Sequence, residues 1–171
     1  MFFGKIKETP LDIAMSWLVR TIAKWKCERC HKQFKPPTKA LHCSHFWGRG
    51  NWKTRHDLDN CSAHCYGCHQ YLGSNPQEFR EWQLQKLGKE KFEALSRRAH
   101  WRTRERFDKK LIELWLRQEL PKYGLDPNDF FMKKEKREMC PCKLYPPHCT
   151  IHHRSKKKEK PKRKDSSVNI D

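Results

Sequence analysis

The sequence predicts an α+β fold in which two short strands, held together by a metal site, lie between helical segments. Two Cys-x-x-Cys pairs, Cys27 with Cys30 and Cys65 with Cys68, enclose a polar stretch that has no long helical pattern. Apolar residues at helical spacing precede and follow that stretch. The chain has 171 residues and nine cysteines, a number that favours metal ligands and small buried residues over disulfides. We therefore expect a reducing, cytoplasmic environment.

The amino-acid composition indicates what kind of molecule the protein binds. The chain carries 38 basic and 20 acidic residues, which gives a formal net charge of +18. A charge of this size predicts binding to a polyanion, and we expect that partner to be nucleic acid. No apolar run approaches the roughly 20 residues that a membrane-spanning helix needs, so we expect no membrane partner.

Residues 1–26 are predicted to form an N-terminal helical segment. Thr9 is expected to be the N-cap, Pro10 lies in the first turn, and Asp12 completes a capping box. The apolar positions that follow have helical spacing and form one face. They are Ile13, Trp17, Leu18, Ile22 and Trp25.

The middle of the chain is divided into a core and a helical extension. Residues 27–75 form the predicted core, in which two short strands are joined by a loop that contains "GRGN". Residues 76–131 form a helical extension that begins after a cap at Asn75 and is interrupted at Gly88. Pro121 is expected to end its last long helix.

Residues 132–171 are predicted to be a basic and largely disordered tail. This segment is rich in lysine, is broken by proline and contains few aliphatic residues. It also contains a short cluster of cysteine and histidine that is a candidate for a second zinc site. The candidate ligands are Cys140, Cys142, Cys149 and His152, with His153 as an alternative.

The two cysteine pairs predict a structural Zn²⁺ site. Four thiolates from two such pairs form a closed tetrahedral set, which is typical of zinc that stabilises a fold. The predicted ligands are Cys27, Cys30, Cys65 and Cys68. Taken alone, these cysteines fit a non-catalytic, zinc-dependent nucleic-acid-binding protein as well as they fit an enzyme.

The residues between the cysteine pairs carry a more specific pattern. In "LHCSHFWGRGNWKTRHDLDNCSAHCYGCH", His45, Asn60 and His69 follow one another in that order. The arrangement resembles the HNH branch of the ββα-metal endonucleases and, more narrowly, the phage NinG/Rap recombination nuclease family. The narrower resemblance rests on a helix that ends before "CERC", on "SHF", on "RHDLDN" and on "CYGCHQYLGSN" followed by a helical pair. It covers roughly residues 11–99.

The resemblance implies a ββα-metal core and a metal-dependent DNA endonuclease that acts on branched or partly single-stranded recombination intermediates, such as Holliday junctions and D-loops. His45 is then the general base, because neutral imidazole has a pKa close to working pH. Asn60 would orient that imidazole through its amide carbonyl. An HNH nuclease of restriction, homing or packaging type is the alternative within the same class.

His69 and His42 are the predicted ligands of a catalytic ion. In the commoner HNH pattern an acidic residue directly precedes the catalytic histidine, but Ser44 occupies that position here. His42, three residues before His45, is therefore expected to provide the strand ligand. The resemblance implies Mg²⁺ or Mn²⁺, whereas two imidazoles favour Mn²⁺, Ni²⁺ or Zn²⁺. Cys43 and Cys61 are interpreted as small buried residues beside the site.

Basic and aromatic residues of two segments are predicted to contact DNA. Arginine binds phosphate in a bidentate manner, and tryptophan stacks on exposed bases. A homodimer would suit a symmetrical junction, although the sequence indicates no interface. The predicted contact residues are Arg49, Trp52, Lys53 and Arg55 in the loop after His45, and Arg98 and Arg102 in the helical extension.

Overall fold

The structure is a computed structural model that describes residues 7–102 and 108–131. Within these residues the fold is α+β, as predicted, with six helices and one two-stranded antiparallel sheet. The candidate tail and its possible second zinc site, Cys140, Cys142, Cys149 and His152, lie outside the described residues. No helix of the described part has both the length and the apolar content that crossing a membrane requires.

The elements follow one another in the order α, β, β and then five further helices. The first helix, the two strands and the helix directly after them are α1 (Pro10–Ile22), β1 (Leu41–His45), β2 (Cys61–Cys65) and α2 (Tyr66–Ser74). The remaining helices are α3 (Pro76–Leu87), α4 (Lys89–His100), α5 (Lys109–Glu119) and α6 (Asn128–Phe131), and 3₁₀ turns occur at Leu58–Asn60 and Leu120–Tyr123.

The sheet is a hairpin with a long connection. In its antiparallel register, Leu41 lies opposite Cys65 and His45 lies opposite Cys61. Side chains alternate between the two faces of a strand. One face therefore carries Leu41, Cys43, His45, Cys61, Ala63 and Cys65, and the other carries His42, Ser44, Ser62 and His64.

The core lies mainly between α1 and the first of these faces. Met15 and Leu18 of α1 are buried in the same apolar cluster as Leu41 and Ala63 of the hairpin. The cluster continues into the C-terminal part of the described chain through Ile112, Leu116, Leu120 and Phe130. On the opposite face, His64 packs edge-on against Trp82 of α3, with ring centroids 4.6 Å apart. The hairpin is thus covered on both faces.

The predicted start of α1 is confirmed. Thr9 is the N-cap, and its hydroxyl accepts the Asp12 amide at 3.4 Å. The Asp12 carboxylate in return accepts the Thr9 amide at 2.7 Å. This reciprocal pair is the capping box, which satisfies amides that the helix itself leaves unpaired.

Asp12 also forms a buried ion pair with a residue of the long connection between the strands. Arg55 is wholly buried, and its Nε and Nη2 donate to the two carboxylate oxygens of Asp12 at 2.7 and 2.6 Å. His56 Nε2 lies 3.1 Å from the same carboxylate. Burial alone would raise the pKa of Asp12, but the hydrogen bonds from His56, Arg55 and Thr9 outweigh it and hold that pKa well below its usual range. The ionised carboxylate therefore ties the loop at residues 46–60 to the start of α1.

We expect Asp12→Ala to reduce the free energy of unfolding by roughly 3–5 kcal/mol, because it leaves the buried Arg55 guanidinium without its partner. Urea denaturation at pH 7 measures this loss. A matched control is Glu113→Ala, which removes the partner of Arg117 in a partly exposed pair on α5. Such pairs contribute roughly 0–1 kcal/mol, and equal losses in the two variants would contradict the assignment.

The same carboxylate predicts a pH dependence. The pKa of Asp12 is lower in the folded protein than the value of about 3.9 in an unfolded chain. Its contribution to stability is thus fully present above about pH 4–5 and is lost as the pH falls below that range. We expect the difference in unfolding free energy between wild type and Asp12→Asn to shrink between pH 5 and pH 2 in a series of urea titrations. A constant difference would show that the ionised carboxylate is not what stabilises the loop.

Candidate functional site

Four cysteines converge where the hairpin meets α2. Cys27 and Cys30 lie in a tight turn, closed by the bridge between Lys26 and Gln33 and by the Cys27 amide, which donates to the Lys32 carbonyl at 2.9 Å. Cys65 ends β2, and Cys68 lies in the first turn of α2. Their four Sγ atoms lie within 4.8 Å of one another, so the group could hold a metal ion.

The surroundings of these sulfur atoms fit thiolate ligands. The Cys65 amide donates to Cys27 Sγ at 3.3 Å, and Arg29 Nη1 lies 4.0 Å from Cys68 Sγ. Burial, together with hydrogen bonds from the neighbouring thiols, raises the pKa of Cys68 to about 12. Four adjacent thiols cannot all ionise without a compensating cation, and a metal ion supplies that charge.

His42 and His69, the predicted ligands of a second ion, lie next to each other. His42 projects from β1 and His69 from the start of α2, with ring centroids 5.3 Å apart. Burial is the main cause that lowers the pKa of both rings, and Arg20 adds to it at His42. Both imidazoles are thus neutral near pH 7, as metal binding requires. His69 Nδ1 is buried without a hydrogen-bond partner.

His45 ends β1, and a backbone carbonyl holds its ring. Nε2 donates to the carbonyl oxygen of Arg55 at 3.1 Å. Burial lowers the pKa of His45 to about 4, the carbonyl opposes this effect, and the charge of Arg49 adds to it. Arg49 also lowers the pKa of His69. The loop thus places one exposed guanidinium near both His45 and the pair of His42 and His69, although His45 and His42 are on opposite faces of the strand.

Asn60 has a different role from the predicted one. Its Nδ2 donates to the carbonyls of Trp47 and Thr54, both at 2.9 Å, and its Oδ1 accepts the Trp47 amide at 2.7 Å. These bonds use both amide hydrogens and one of the two lone pairs of Oδ1. The hydrogen-bond partner of the His45 ring is the Arg55 carbonyl and not the predicted Asn60 amide. Asn60 instead closes the loop in the conformation that brings the Arg55 carbonyl to His45.

One predicted DNA contact is corrected by its ion pair. Arg55 has no exposed surface and is bound to Asp12, so it does not reach a phosphate. Arg98 donates to Asp57 and Asp59 at 2.7 and 2.8 Å, but its side chain is 39% exposed, so its contact with DNA stays a prediction. Both arginines help to hold the loop in place.

The other predicted contact residues lie on the surface. Trp52 is 44% exposed, and the Arg55 guanidinium and Lys109 Nζ lie 4.4 and 5.7 Å from its ring centroid. Arg49 and Arg102 are exposed, and Lys53 is half-buried. Arg49, Trp52 and Lys53 leave cationic and aromatic groups accessible on the loop, and Arg102 leaves a cation accessible after α4.

Sequence reasoning missed the group that orients His45, the carbonyl of Arg55. Every residue carries a carbonyl, so no residue type in the sequence could have indicated it. Comparison of the chain with protein-family models, with curated proteins and with solved structures gave no match.

We expect Cys65→Ser to lower the metal content by one ion per chain and to unfold the hairpin region at a lower temperature, because structural metal binding contributes directly to folding. Elemental analysis of the purified protein and thermal circular dichroism measure the two effects. His31→Asn is the control, since His31 lies in the same turn with a φ of 60°, a conformation that asparagine tolerates. Equal metal content in wild type and Cys65→Ser would contradict the assignment.

Proposed function

We propose that this chain is a metal-dependent DNA endonuclease of the HNH, ββα-metal type, with structural Zn²⁺ at the four cysteines. The observation that supports this most is the juxtaposition of His42 and His69 beside the four-cysteine group, with His45 neutral at the strand end. The succession of β1, β2 and α2 provides this arrangement. A sulfur-only ligand set in a protein of this composition favours zinc.

His45 is the proposed general base. Because Nε2 donates to the Arg55 carbonyl, Nδ1 carries the free lone pair that can accept a proton from water. Its pKa of about 4 applies to the protein without DNA, where burial is the main cause and the charge of Arg49 adds a smaller contribution. A phosphodiester bound to Arg49 would compensate that charge and raise the pKa of His45 towards the range that suits a base.

His42 and His69 are the proposed ligands of Mg²⁺ or Mn²⁺, with water completing the coordination. The ion would stabilise the departing 3′ oxygen and the negative charge on phosphorus. Arg49 would bind a non-bridging phosphate oxygen next to it. Together these groups would supply a base, a cation site and a phosphate ligand near the end of β1.

The proposed substrate is DNA, with a preference for branched structures. The net charge of +18 and the exposed residues Arg49, Trp52 and Arg102 support binding to a nucleic-acid backbone. The preference for Holliday junctions and D-loops rests on the resemblance to the NinG/Rap nucleases. A non-catalytic, zinc-dependent nucleic-acid-binding protein is the second candidate, favoured by the closed cysteine set and by Ser44 in place of an acidic ligand.

We expect His45→Ala to reduce the rate of DNA cleavage by about 10²- to 10⁴-fold, the usual contribution of a general base, and to leave DNA affinity unchanged. Single-turnover cleavage and fluorescence anisotropy measure the two quantities. His31→Asn serves as the histidine control and should cleave at the wild-type rate. Unchanged cleavage in His45→Ala would refute the catalytic role, and DNA binding by a wild type that does not cleave would favour the second candidate.

A substrate panel tests the preference for branched DNA. We expect a four-way junction and a D-loop to be cleaved faster than a linear duplex of the same length and sequence, in Mg²⁺ or in Mn²⁺. The measurement is the initial rate on end-labelled substrates at one ionic strength, because affinity for the backbone depends strongly on salt. Equal rates on all three substrates would exclude the recombination role and favour an HNH nuclease of restriction, homing or packaging type.

A further inference from the structure

A second group of metal-binding side chains surrounds His45. Cys43 and His45 project from the same face of β1, and Cys61 lies directly opposite His45 on β2. One ligand atom of each residue lies within 4.8 Å of those of the other two. None of the three residues belongs to the four-cysteine group.

The Arg55 carbonyl orients two of the three donors. It accepts from His45 Nε2 at 3.1 Å, and Cys61 Sγ donates to it at 3.8 Å. A histidine that ligates a metal through one ring nitrogen commonly donates its other N–H to a carbonyl or carboxylate, which fixes the tautomer and the ring plane. His45 is held in this way, with Nδ1 left for a metal.

The two thiols are close to each other, and the lysine beside them is already paired with a carboxylate. A hydrogen bond with the Cys43 thiol and burial raise the pKa of Cys61 well above its ordinary value. Lys86 Nζ donates to the Cys61 backbone carbonyl at 3.1 Å and is paired with Glu28 at 2.6 Å. Thiolates are the form in which cysteine binds metal, so the bound ion itself would supply the charge that compensates them.

We propose that Cys43, His45 and Cys61 form a second metal site, which takes a thiophilic divalent ion such as Zn²⁺ or Cd²⁺. Two thiolates and one imidazole match the preference of these ions, and three protein ligands leave a fourth position for water. Mg²⁺ binds such donors poorly because it requires oxygen ligands. Cys43 and Cys61, which we interpreted from the sequence as small buried residues, are thus proposed metal ligands.

Occupation of this site has a consequence for cleavage, and this part rests on the proposed function. An ion bound to His45 Nδ1 takes the lone pair with which His45 accepts a proton. Zn²⁺ at the second site therefore inhibits the nuclease while Mg²⁺ supports it. The same histidine serves as base or as ligand, according to the ion that is present.

The site is tested by ¹¹³Cd²⁺ binding to the full-length chain. All samples carry Cys140→Ser, Cys142→Ser and Cys149→Ser, so that these cysteines cannot contribute ligands. We expect at least two bound Cd²⁺ ions per chain by elemental analysis and two ¹¹³Cd resonances from sulfur-bound ions, because an ion at His42 and His69 would have no sulfur ligand. The second resonance should have the smaller chemical shift, because it arises from fewer sulfur ligands. Adding Cys43→Ser and Cys61→Ser should remove that resonance and leave the four-sulfur resonance unchanged, whereas adding His31→Asn should remove neither.

Three results of the cadmium experiment would overturn the second metal site. The first two are a single bound Cd²⁺ and a second resonance that persists without Cys43 and Cys61. The third is a Cys43–Cys61 disulfide in place of metal binding, detected by mass spectrometry under reducing buffer. If circular dichroism shows that the double variant does not fold, Cys43→Ser alone answers the question, because Cys43 is only partly buried and its loss should also abolish the second resonance.

Inhibition is measured as the cleavage rate in Mg²⁺ with added Zn²⁺ divided by the rate without Zn²⁺. We expect this ratio to be about 0.1 or lower in the wild type, which is at least tenfold inhibition, and to stay near one in Cys43→Ser. Equal inhibition of both proteins would place the inhibitory Zn²⁺ elsewhere and overturn this part of the proposal. Two ¹¹³Cd resonances without any cleavage by the wild type would refute the proposed function but leave the second metal site standing.

Discussion

The buried ion pair between Asp12 and Arg55 joins the parts of the molecule on which the candidate site depends. Asp12 belongs to the first turn of α1, whereas Arg55 belongs to the loop between the strands. The Arg55 side chain fixes the loop to α1, and its carbonyl holds the ring of His45. Desolvation offsets much of the attraction in a buried pair, so its main effect is to select one conformation of the loop. A change in that conformation would move the carbonyl and release the imidazole.

The strand β1 alone cannot bring His42 and His45 together on one face. Because side chains alternate, His42 and His45 leave β1 on opposite faces, and His69 of α2 joins only His42. A reaction that uses all three histidines must therefore take place where the strand ends. The charge of Arg49, four residues beyond His45, contributes to lowering the pKa of both His45 and His69. The proposed site would therefore be assembled across a strand end rather than on one sheet face.

Local patterns predicted much of the fold, and long-range pairing explains where prediction failed. The capping box at Thr9, the cysteine pairs and the break at Gly88, which has a φ of 77°, are each encoded within a few residues. Asn75 is the N-cap residue of α3, as predicted, but its side chain donates back to the Tyr71 carbonyl instead of accepting an amide of the helix. The basic residues of the loop predicted an exposed surface, because the partner of Arg55 is not near it in the sequence. That partner, Asp12, is 43 residues away, and its predicted role in the capping box gave no reason to expect a second role.

The same strand geometry separates the two sulfur-containing groups. Cys61 and Cys65 point to the same face of β2, but they are four positions apart, which corresponds to roughly 13 Å along a strand. Ala63 lies between them and offers no ligand, so an ion bound by Cys61 cannot share donors with one bound by Cys65. The four-cysteine group is at the end of the hairpin that leads into α2, whereas Cys43, His45 and Cys61 are at the end that leads into the loop. In our proposals, metal at the first end would support the fold, and metal at the second end would compete for the nitrogen that the proposed chemistry requires. One hairpin would then need zinc for its structure and be inhibited by zinc in its reaction, because the two effects depend on ligands that its register keeps apart.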